Sequence, residues 1–523
     1  MLNFAVLIGI YSYFVFLIGI LKLLRYEIIL FSSVTFAVLA VFLIIINCKK
    51  IQFRKFRFRL SPIELAIGIL LLVLAIVNLI GALGPEISYD ALWYHLTLPK
   101  LYLQKGQIYH ISGNLLYYGA MPRLVEMLYV APLALTNEIG AKVIHFLFGI
   151  LTTLTIIFYG KRYFNLKVAL IAALIFYSNL VVAWQSTTAD IDLGRTFFEV
   201  LAFFFFLNWW KTRRDRELIK SGLLTGLALS TKYLAFGSIG ILALLVFIFA
   251  KKQKILKPVI FILPAIFVAL PWFVSSIVNT GNPIYPLFSG ILSQWHNFVF
   301  RGFLNFFIDF FRLSNLPTDW VSPISPIYLI LLPLTIFPLL KFPVVRVVGI
   351  YCFLAYVYWF LTPRTGGTRF ILPYLPIFSL FVASIFAVNI KRLKIFQTVS
   401  LFAIIFLTFG HLAIRLYINA KNLPVILGKE SKHEFLVNNL DFTNAFYDTD
   451  HYFERQIKSS DLVYIIGGQN LYYVNFPFTH ESFGENVKYN YIFTQYKELP
   501  GNFGNAKLIY QNPKTYVKLY KLD

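Results

Sequence analysis

Long apolar runs dominate this chain and limit what it can fold into. About thirteen of them, mostly of roughly 17 to 25 residues, are long enough to cross ~30 Å of hydrocarbon as helices. Hydrophobic residues make up 58% of the 523 residues and charged residues only 14%, which excludes a soluble globular protein. The sequence therefore predicts an all-α polytopic membrane protein, with spans near 3–22, 27–47, 63–84, 139–159, 167–185, 193–210, 218–234, 236–250, 258–275, 323–340, 345–361, 369–389 and 395–414.

Basic residues set the predicted orientation in the membrane. The formal net charge is +23, and most lysines and arginines lie in short loops between apolar runs, as cytoplasmic loops do. This distribution excludes a continuous basic stripe for nucleic acid and predicts a cytoplasmic N-terminus, an external C-terminus and a plasma-membrane location. Lys22 and Arg25 would fall on the outer side, in a short hairpin. The basic loops that fall on the predicted cytoplasmic side are 49–59, 161–162, 211–216, 251–254 and 391–394.

The chain divides into two predicted parts. Residues 1–415 form the transmembrane domain, with external loops 85–137 and 276–322. Beyond residue 416 the long apolar runs stop, and short alternating segments typical of β-strands appear, which predicts a small extracytoplasmic α/β domain over 416–523. These segments lie near 462–468, 491–494 and 515–520. With only Cys48 and Cys352 present, a disulfide framework is excluded.

The first external loop places a carboxylate, Asp90, directly after the third apolar run. A charge at the edge of a membrane segment is costly unless it is solvated, paired or functional. One interpretation is a general base that deprotonates an acceptor hydroxyl. The other is a helix N-cap that accepts a hydrogen bond from the amide of Leu92 or Trp93. His95 lies off the Asp90 face of a helix, where a hydrogen-bonded histidine is commoner than a catalyst.

A second pair of acids, Asp190 and Asp192, lies at the outer end of another span. They could hold a divalent metal, or orient a donor phosphate through Arg195. Alternatively, Asp192, Arg195 and Glu199 have the spacing of an intrahelical charge ladder. Two carboxylates without a third ligand do not predict a metal, so no cofactor is expected.

Cations are expected at headgroup depth on the same side. Lys232 would lie ~20 Å along a helix that begins near 218, where it either extends to the interface or meets an anion. Gly222 and Gly226 would let that helix pack closely on its neighbours. Arg364 and Arg369 flank a Gly-Gly turn, which suits a phosphate or ordinary lipid headgroups. Carboxylates near the membrane surface, together with cations at the depth of the lipid headgroups, suit a donor that consists of a lipid, a phosphate and a sugar.

Four short motifs occur along the chain. They are YDALWYHL at 89–96, GLALSTKY at 226–233, PW at 271–272 leading to TGNPIYP at 280–286, and RFILPYLP at 369–376. In these motifs the chain resembles the membrane-embedded glycosyltransferases of the C superfamily (GT-C). More narrowly, it is similar to the family 39 group related to protein O-mannosyltransferases and the lipid A aminoarabinose transferase. The resemblance spans most of the membrane portion.

This resemblance implies a polyprenyl-phosphate sugar donor, with Asp90 as base and Lys232 and Arg369 on the lipid phosphate. The acceptor would be an envelope lipid, glycan or protein. The mannosyltransferases carry an Asp-Glu pair where Asp90 is followed by Ala91, which weakens the case for a protein acceptor. Family members generally act without a metal. Arg364 joins the predicted phosphate-binding residues, and the predicted substrate-binding residues are Tyr89, Trp93, Tyr94, His95, Asp190 and Asp192.

Two other functions remain open. A transporter or flippase for a lipid-linked or anionic substrate would place ionisable groups near span midpoints, and would show paired repeats with interrupted helices. In this sequence the ionisable groups crowd the outer ends of the spans, and no repeat is evident, which favours the enzyme. A non-catalytic scaffold with an envelope-binding tail is the third interpretation. No P-loop or Rossmann fingerprint occurs, so coupling to a nucleotide is unsupported.

Overall fold

Helices occupy most of the chain up to Ala420. The computed structural model describes residues 1–50, 60–289, 302–312, 324–362, 367–484 and 487–522. Its first eighteen α-helices are α1 (Leu2–Ile20), α2 (Tyr26–Lys50), α3 (Pro62–Ala82), α4 (Thr97–Lys105), α5 (Leu124–Leu135), α6 (Glu138–Tyr163), α7 (Leu166–Tyr177), α8 (Leu180–Gln185), α9 (Asp192–Thr212), α10 (Asp215–Leu229), α11 (Phe236–Phe249), α12 (Leu256–Thr280), α13 (Gly302–Arg312), α14 (Ile327–Leu331), α15 (Ile336–Lys341), α16 (Pro343–Leu361), α17 (Leu375–Ala383) and α18 (Lys394–Ala420).

Several of these helices are long and apolar enough to cross a membrane. Within the described residues, eight helical stretches meet that condition by length and composition. The prediction of a polytopic α-helical membrane protein is confirmed, whereas the number thirteen stays a prediction. The eight are Leu2–Ile20, Tyr26–Ile46, Pro62–Ala82, Glu138–Tyr163, Leu256–Thr280, Pro343–Leu361, Gly367–Ala387 and Lys391–Ala420.

Several predicted spans are interrupted in the structure, among them 167–185 and 323–340. The stretch predicted at 167–185 divides into α7 and α8, because the Asn179 side chain donates to the carbonyl oxygens of Ile175 at 2.6 Å and Phe176 at 3.1 Å. These bonds satisfy carbonyl groups that a continuing helix would have used. The stretch predicted at 323–340 is interrupted by a 3₁₀ turn containing Pro333, which has no amide hydrogen to donate.

Close helix packing positions the outer end of α10. Ser221 of α10 donates to the carbonyl oxygen of Ala202 in α9 at 2.8 Å. On the α12 side, a Cβ added at Gly226 would lie 2.6 Å from the carbonyl oxygen of Ala265, and one at Gly222 would meet that of Phe261. Only glycine permits this approach. The close packing predicted from these glycines is therefore present, and it fixes where the chain leaves α10.

The C-terminal part forms a small α/β unit around a five-stranded sheet. The strand order is β2-β1-β3-β5-β4; β1 is parallel to β2 and β3, and β5 is antiparallel to β3 and β4. The predicted strands correspond to β1, β3 and β5, so the predicted class of this part is confirmed, whereas the boundary at 416 stays a prediction. The elements are α19 (Leu423–Ile426), α20 (Lys432–Asn439), α21 (Tyr452–Gln456), β1 (Val463–Ile466), β2 (Phe478–His480), β3 (Tyr491–Gln495), β4 (Lys507–Asn512) and β5 (Val517–Lys521).

Candidate active site

A cavity of about 650 Å³ opens where the loop 85–137 meets the ends of α10 and α16. It contains Asp90, Lys232 and Arg369, which come from three distant parts of the sequence. Aromatic and aliphatic side chains form most of the remaining wall. The lining residues are Tyr89, Asp90, Trp93, Tyr94, Tyr117, Tyr118, Met121, Lys232, Tyr233, Leu234, Phe236, Pro286, Leu287, Tyr358, Leu361, Thr362, Arg369 and Phe370.

Asp90 precedes a π-helical turn, Ala91–His95, and has helical backbone angles itself, with φ −64° and ψ −37°. Its side chain accepts no capping hydrogen bond from the described backbone. The N-cap interpretation is therefore wrong. One carboxylate oxygen instead lies 2.7 Å from Nη1 of Arg369, and the side chain is 21% exposed. Asp90 thus faces the cavity and pairs with a cation that lies far from it in the sequence but next to it in the structure.

The charges around Asp90 decide its ionisation. Burial, the largest single effect, raises the pKa of this carboxyl group, but the charge and hydrogen bond of Arg369 together with the charges of His95 and Lys232 outweigh it. The pKa of Asp90 is therefore below its ordinary value. Asp90 is negatively charged at neutral pH, which is the state that a general base requires.

Arg369 connects three acids. It lies in a 3₁₀ helix, Gly367–Tyr374, and is 9% exposed. Besides its contact with Asp90, Nη1 lies 3.2 Å from a carboxylate oxygen of Asp190, and Nε lies 3.5 Å from one of Asp192. A planar guanidinium can face several carboxylates at once, which an ammonium cannot do as well.

Arg364, the second arginine predicted to bind phosphate, lies outside the described residues, in the segment 363–366. Its role stays a prediction.

Lys232 lies beyond the end of α10, in an extended conformation with φ −159° and ψ 133°. The expected position on a helix is therefore wrong. Ser230 and Thr231 donate their hydroxyl hydrogens to carbonyl oxygens one turn back, at 2.7 and 2.9 Å, and such bonds often bend helices. The ammonium lies 2.9 and 3.1 Å from the two carboxylate oxygens of Asp192.

Asp190 and Asp192 lie behind the cavity wall. Asp190 is fully buried and Asp192 is 1% exposed, and neither belongs to the lining that the structure describes. Asp190 accepts a hydrogen bond of 2.7 Å from Gln185. The predicted charge ladder forms only between Arg195 and Glu199, at 2.6 Å, because Asp192 pairs with the two cations of the cavity. Among the described residues no group of three or more His, Cys, Asp or Glu is arranged to hold a metal.

His95 is also behind the wall. It is 1% exposed; its Nδ1 lies 2.9 Å from a carboxylate oxygen of Glu126, and its Nε2 lies 4.0 Å from one of Asp190. The hydrogen-bonded interpretation of this histidine agrees with the structure. His95, Asp190 and Asp192 are too buried to touch a molecule in the cavity, so the prediction that they contact substrate does not agree with the structure. Asp190 and Asp192 instead contact the cations that line the cavity.

Sequence reasoning missed two buried acids near the site. Glu126 lies 3% exposed within the apolar helix α5, and Glu86 lies 1% exposed after Pro85. Glu86 accepts hydrogen bonds from the amides of Ser88 at 2.8 Å and Ala189 at 2.7 Å, so it joins the start of the Asp90 loop to the Asp190 turn. The usable signal was an acid inside or next to an apolar run.

Aromatic rings form a large part of the cavity wall. The Tyr94 ring stacks on that of Tyr118, with centroids 3.7 Å apart and an angle of 6°. Trp93 donates its indole hydrogen to the carbonyl oxygen of Leu115 at 3.1 Å, and its ring meets Tyr89 edge-on with centroids 5.5 Å apart. Such faces suit a sugar ring. The predicted aromatic residues line the cavity, and Tyr118 is one that was not predicted.

Comparison with known proteins places this geometry in context. The sequence profile of the family described as dolichyl-phosphate-mannose-protein mannosyltransferase matches residues 127–278. That stretch includes Asp190, Asp192 and Lys232, but neither Asp90 nor Arg369. No curated protein sequence matches the chain.

The structure is similar to that of ArnT from Cupriavidus metallidurans bound to undecaprenyl phosphate. The TM-score is 0.57 at 13% sequence identity, over 87% of this chain and 97% of ArnT. The chain has the fold of ArnT. The apo state of ArnT gives a TM-score of 0.55 at 11% identity, over 88% of this chain and 98% of ArnT. The predicted GT-C fold is thereby confirmed.

Proposed function

We propose that this protein is a membrane glycosyltransferase that takes its sugar from a polyprenyl-phosphate carrier. The observation that carries the proposal is the meeting of one carboxylate, Asp90, with two cations, Lys232 and Arg369, in a single cavity. Two comparisons support it. The matched profile is described by a dolichyl-phosphate sugar donor, and the ArnT structure contains undecaprenyl phosphate.

The reaction follows from these three groups. The acceptor hydroxyl oxygen attacks the anomeric carbon of the donor, and the bond from that carbon to the phosphate oxygen breaks. The hydroxyl proton passes to Asp90, and the bonding pair leaves with the lipid phosphate. Lys232 and Arg369 stabilise the negative charge that grows on this leaving group, and electrostatic stabilisation of this kind is often the largest contribution to catalysis.

Donor binding and base strength are coupled in this site. The three carboxylates of Asp90, Asp190 and Asp192 face the two cations of Lys232 and Arg369, so the cluster has a formal charge of −1 before a donor binds. A phosphate that contacts Arg369 competes with Asp90 for the guanidinium. Asp90 then loses part of the attraction that lowers its pKa, and it becomes a stronger base only when the donor is in place.

The remaining assignments belong to the same proposal. Tyr89, Trp93 and Tyr94 form the sugar-facing wall, and Leu234 and Phe236 begin the path of the lipid chain. The transferred sugar is a hexose or pentose, the acceptor is an envelope lipid, glycan or protein, and the cavity opens on the extracytoplasmic face. The protein needs no cofactor for the steps written above. Residues 1–415 form the transferase domain and 416–523 the external domain.

Replacing Lys232 with methionine should weaken the binding of undecaprenyl phosphate by about tenfold to hundredfold, because charge-assisted hydrogen bonds contribute about 1.5–3 kcal/mol. The affinity of the purified protein for this lipid, measured in detergent or nanodiscs, checks the prediction. Lys257→Met is the matched control, since Lys257 forms a similar ion pair of 2.8 Å with Asp215 at the opposite end of α10. Unchanged affinity in Lys232→Met, or an equal loss in the control, would contradict the phosphate-binding role.

A further inference from the structure

One lysine of the first external loop is held entirely by the external domain. The ammonium of Lys100, on α4, donates to the carbonyl oxygens of Tyr472 at 2.6 Å and Val474 at 2.5 Å. It also lies 3.3 Å from the side-chain oxygen of Asn475. An ammonium has three hydrogens, and all three acceptors come from one short segment of the other part of the chain. These three contacts attach α4 to residues 472–475.

Two tyrosines make further bonds in the stretch just before Asp90. Tyr89, which lines the cavity, donates its hydroxyl hydrogen to the side-chain oxygen of Gln469. Tyr473 donates to the carbonyl oxygen of Glu86 at 2.8 Å. The segment 469–475, which we call the clamp segment, therefore touches the chain before Asp90, next to Asp90, and ten residues after it.

Apolar packing supports the same contact. Leu92, two residues after Asp90, is 1% exposed and belongs to a hydrophobic cluster that otherwise consists of external-domain residues. Those partners are Phe435, Leu436, Leu440, Phe442, Ala445 and Tyr473. Burial of a leucine in this way contributes about 1.5–3 kcal/mol, so the docked arrangement is an energetically substantial part of the fold.

The position of the Asp90 carboxylate depends on the backbone of the loop that carries it. Asp90 is followed by a π-helical turn, a form with one extra residue in each hydrogen-bonded ring, and its side chain has no capping bond to the described backbone. Its contact with Arg369 at 2.7 Å therefore depends on where the loop lies, and the clamp segment is one of the elements that fix the loop. A misplacement of about 1 Å in a catalytic group can lower a rate by about a hundredfold.

We propose that the external domain is a working part of the active site: the clamp segment holds the first external loop so that Asp90 faces Arg369, and Lys100 and Gln469 are positioning residues for the reaction. The expected loss of turnover rests on the proposed function. The expectation that the clamp segment holds the loop around Asp90 does not depend on that function.

The test replaces Lys100 with methionine in the full-length protein. The turnover number should fall about tenfold to hundredfold, while the affinity for undecaprenyl phosphate stays within about twofold, because Lys232 and Arg369 are untouched. Lys105→Met is the control. Lys105 lies on the same helix, is exposed, and has its ammonium 4.1 Å from the centroid of the Tyr109 ring; its replacement should leave turnover unchanged. Lys100→Arg should restore part of the lost turnover.

Hydrogen exchange provides the readout that separates positioning from misfolding. In Lys100→Met the amides of residues 86–95 should exchange faster, whereas those of β1 and β3 should stay protected as in the unaltered protein. Turnover equal to that of the unaltered protein, or unchanged exchange over 86–95, would overturn the proposal. If the unaltered protein transfers no sugar at all, the proposed function fails, and the exchange comparison still decides whether the clamp exists.

A double-mutant cycle tests the contact at the cavity rim. Tyr89→Phe removes only the hydroxyl group, and Gln469→Ala removes its acceptor. Each change should lower turnover, and the double variant should lose no more than the larger single loss, since both remove one interaction. Fully additive losses would show that the two residues act separately, against the proposed role of Gln469.

Discussion

Replacing Asp90 with asparagine should lower the rate of sugar transfer by about 10³-fold or more. Asparagine keeps the size of the side chain but cannot take the acceptor proton, and general acid–base catalysis typically contributes about 10²–10⁴-fold. The measurement is single-turnover transfer from a saturating lipid-linked donor to the native acceptor in purified membranes. Asp215→Asn is the matched control, because Asp215 also forms an ion pair but lies far from the cavity, at the other end of α10.

The same variant should bind undecaprenyl phosphate at least as tightly as the unaltered protein. Asp90 competes with the phosphate for Arg369, which it contacts at 2.7 Å, so removing its charge frees the guanidinium. Loss of transfer together with retained or tighter donor binding is therefore the expected pair of results. Normal turnover in Asp90→Asn would remove Asp90 from the mechanism, and loss of donor binding would mean that its main role is structural.

Replacing Arg369 with glutamine should have the second-largest effect, lowering transfer by about 10²–10³-fold. The change removes a cation from the leaving phosphate and leaves Asp90, Asp190 and Asp192 with one fewer partner. Breaking a buried ion pair costs about 3–5 kcal/mol, so thermal stability must be measured alongside activity. Arg369→Lys keeps the charge and should remain better folded, but it should still transfer slowly, because lysine lacks the planar five-donor guanidinium through which Arg369 contacts its three carboxylates.

The pH profile distinguishes this electrostatic role from simple damage to the fold. Burial raises the pKa of Asp90, and Arg369 is the main charge that lowers it. In the unaltered protein the acidic limb of kcat/KM should therefore lie below about 3.9, the ordinary pKa of an aspartic acid. In Arg369→Gln the pKa rises, so the limb should move to higher pH, whereas Arg369→Lys should move it less. If the acidic limb of kcat/KM lay at the same pH in Arg369→Gln and Arg369→Lys, the proposed effect of the Arg369 side chain on the pKa of Asp90 would be contradicted.

The sequence predicts which charged residues belong to the site, but it does not predict which residues they contact. Asp90, Lys232 and Arg369 stand out because charges are rare in so apolar a chain, and each lies near the end of an apolar run. Their contacts join residues far apart along the chain, which local patterns do not encode. For that reason the sequence allows a helix cap for Asp90 and an intrahelical charge ladder for Asp192, whereas in the structure both acids pair with Arg369.

Local chemistry explains the other differences. Lys232 was expected on a helix because the apolar pattern continues, but hydroxyl groups at 230 and 231 bond back to the helix and the chain leaves it. In the C-terminal part, the segments of β1, β3 and β5 were predicted as strands. β2 has only three residues, and only one of the six residues of β4 is buried, so neither shows the hydrophobic pattern of a strand. The docking of this part on Lys100 depends on backbone carbonyl groups, which leave no mark in a sequence.

The lipid-linked sugar pool tests the central claim most directly. Polyprenyl phosphates extracted from cells that lack this gene can be measured by mass spectrometry, with and without a plasmid carrying the gene. The account predicts that one polyprenyl-phosphate sugar accumulates in the deletion strain, that the unaltered gene clears it, and that the Asp90→Asn gene does not. An unchanged pool in the deletion strain, or equal clearance by the Asp90→Asn variant, would contradict it.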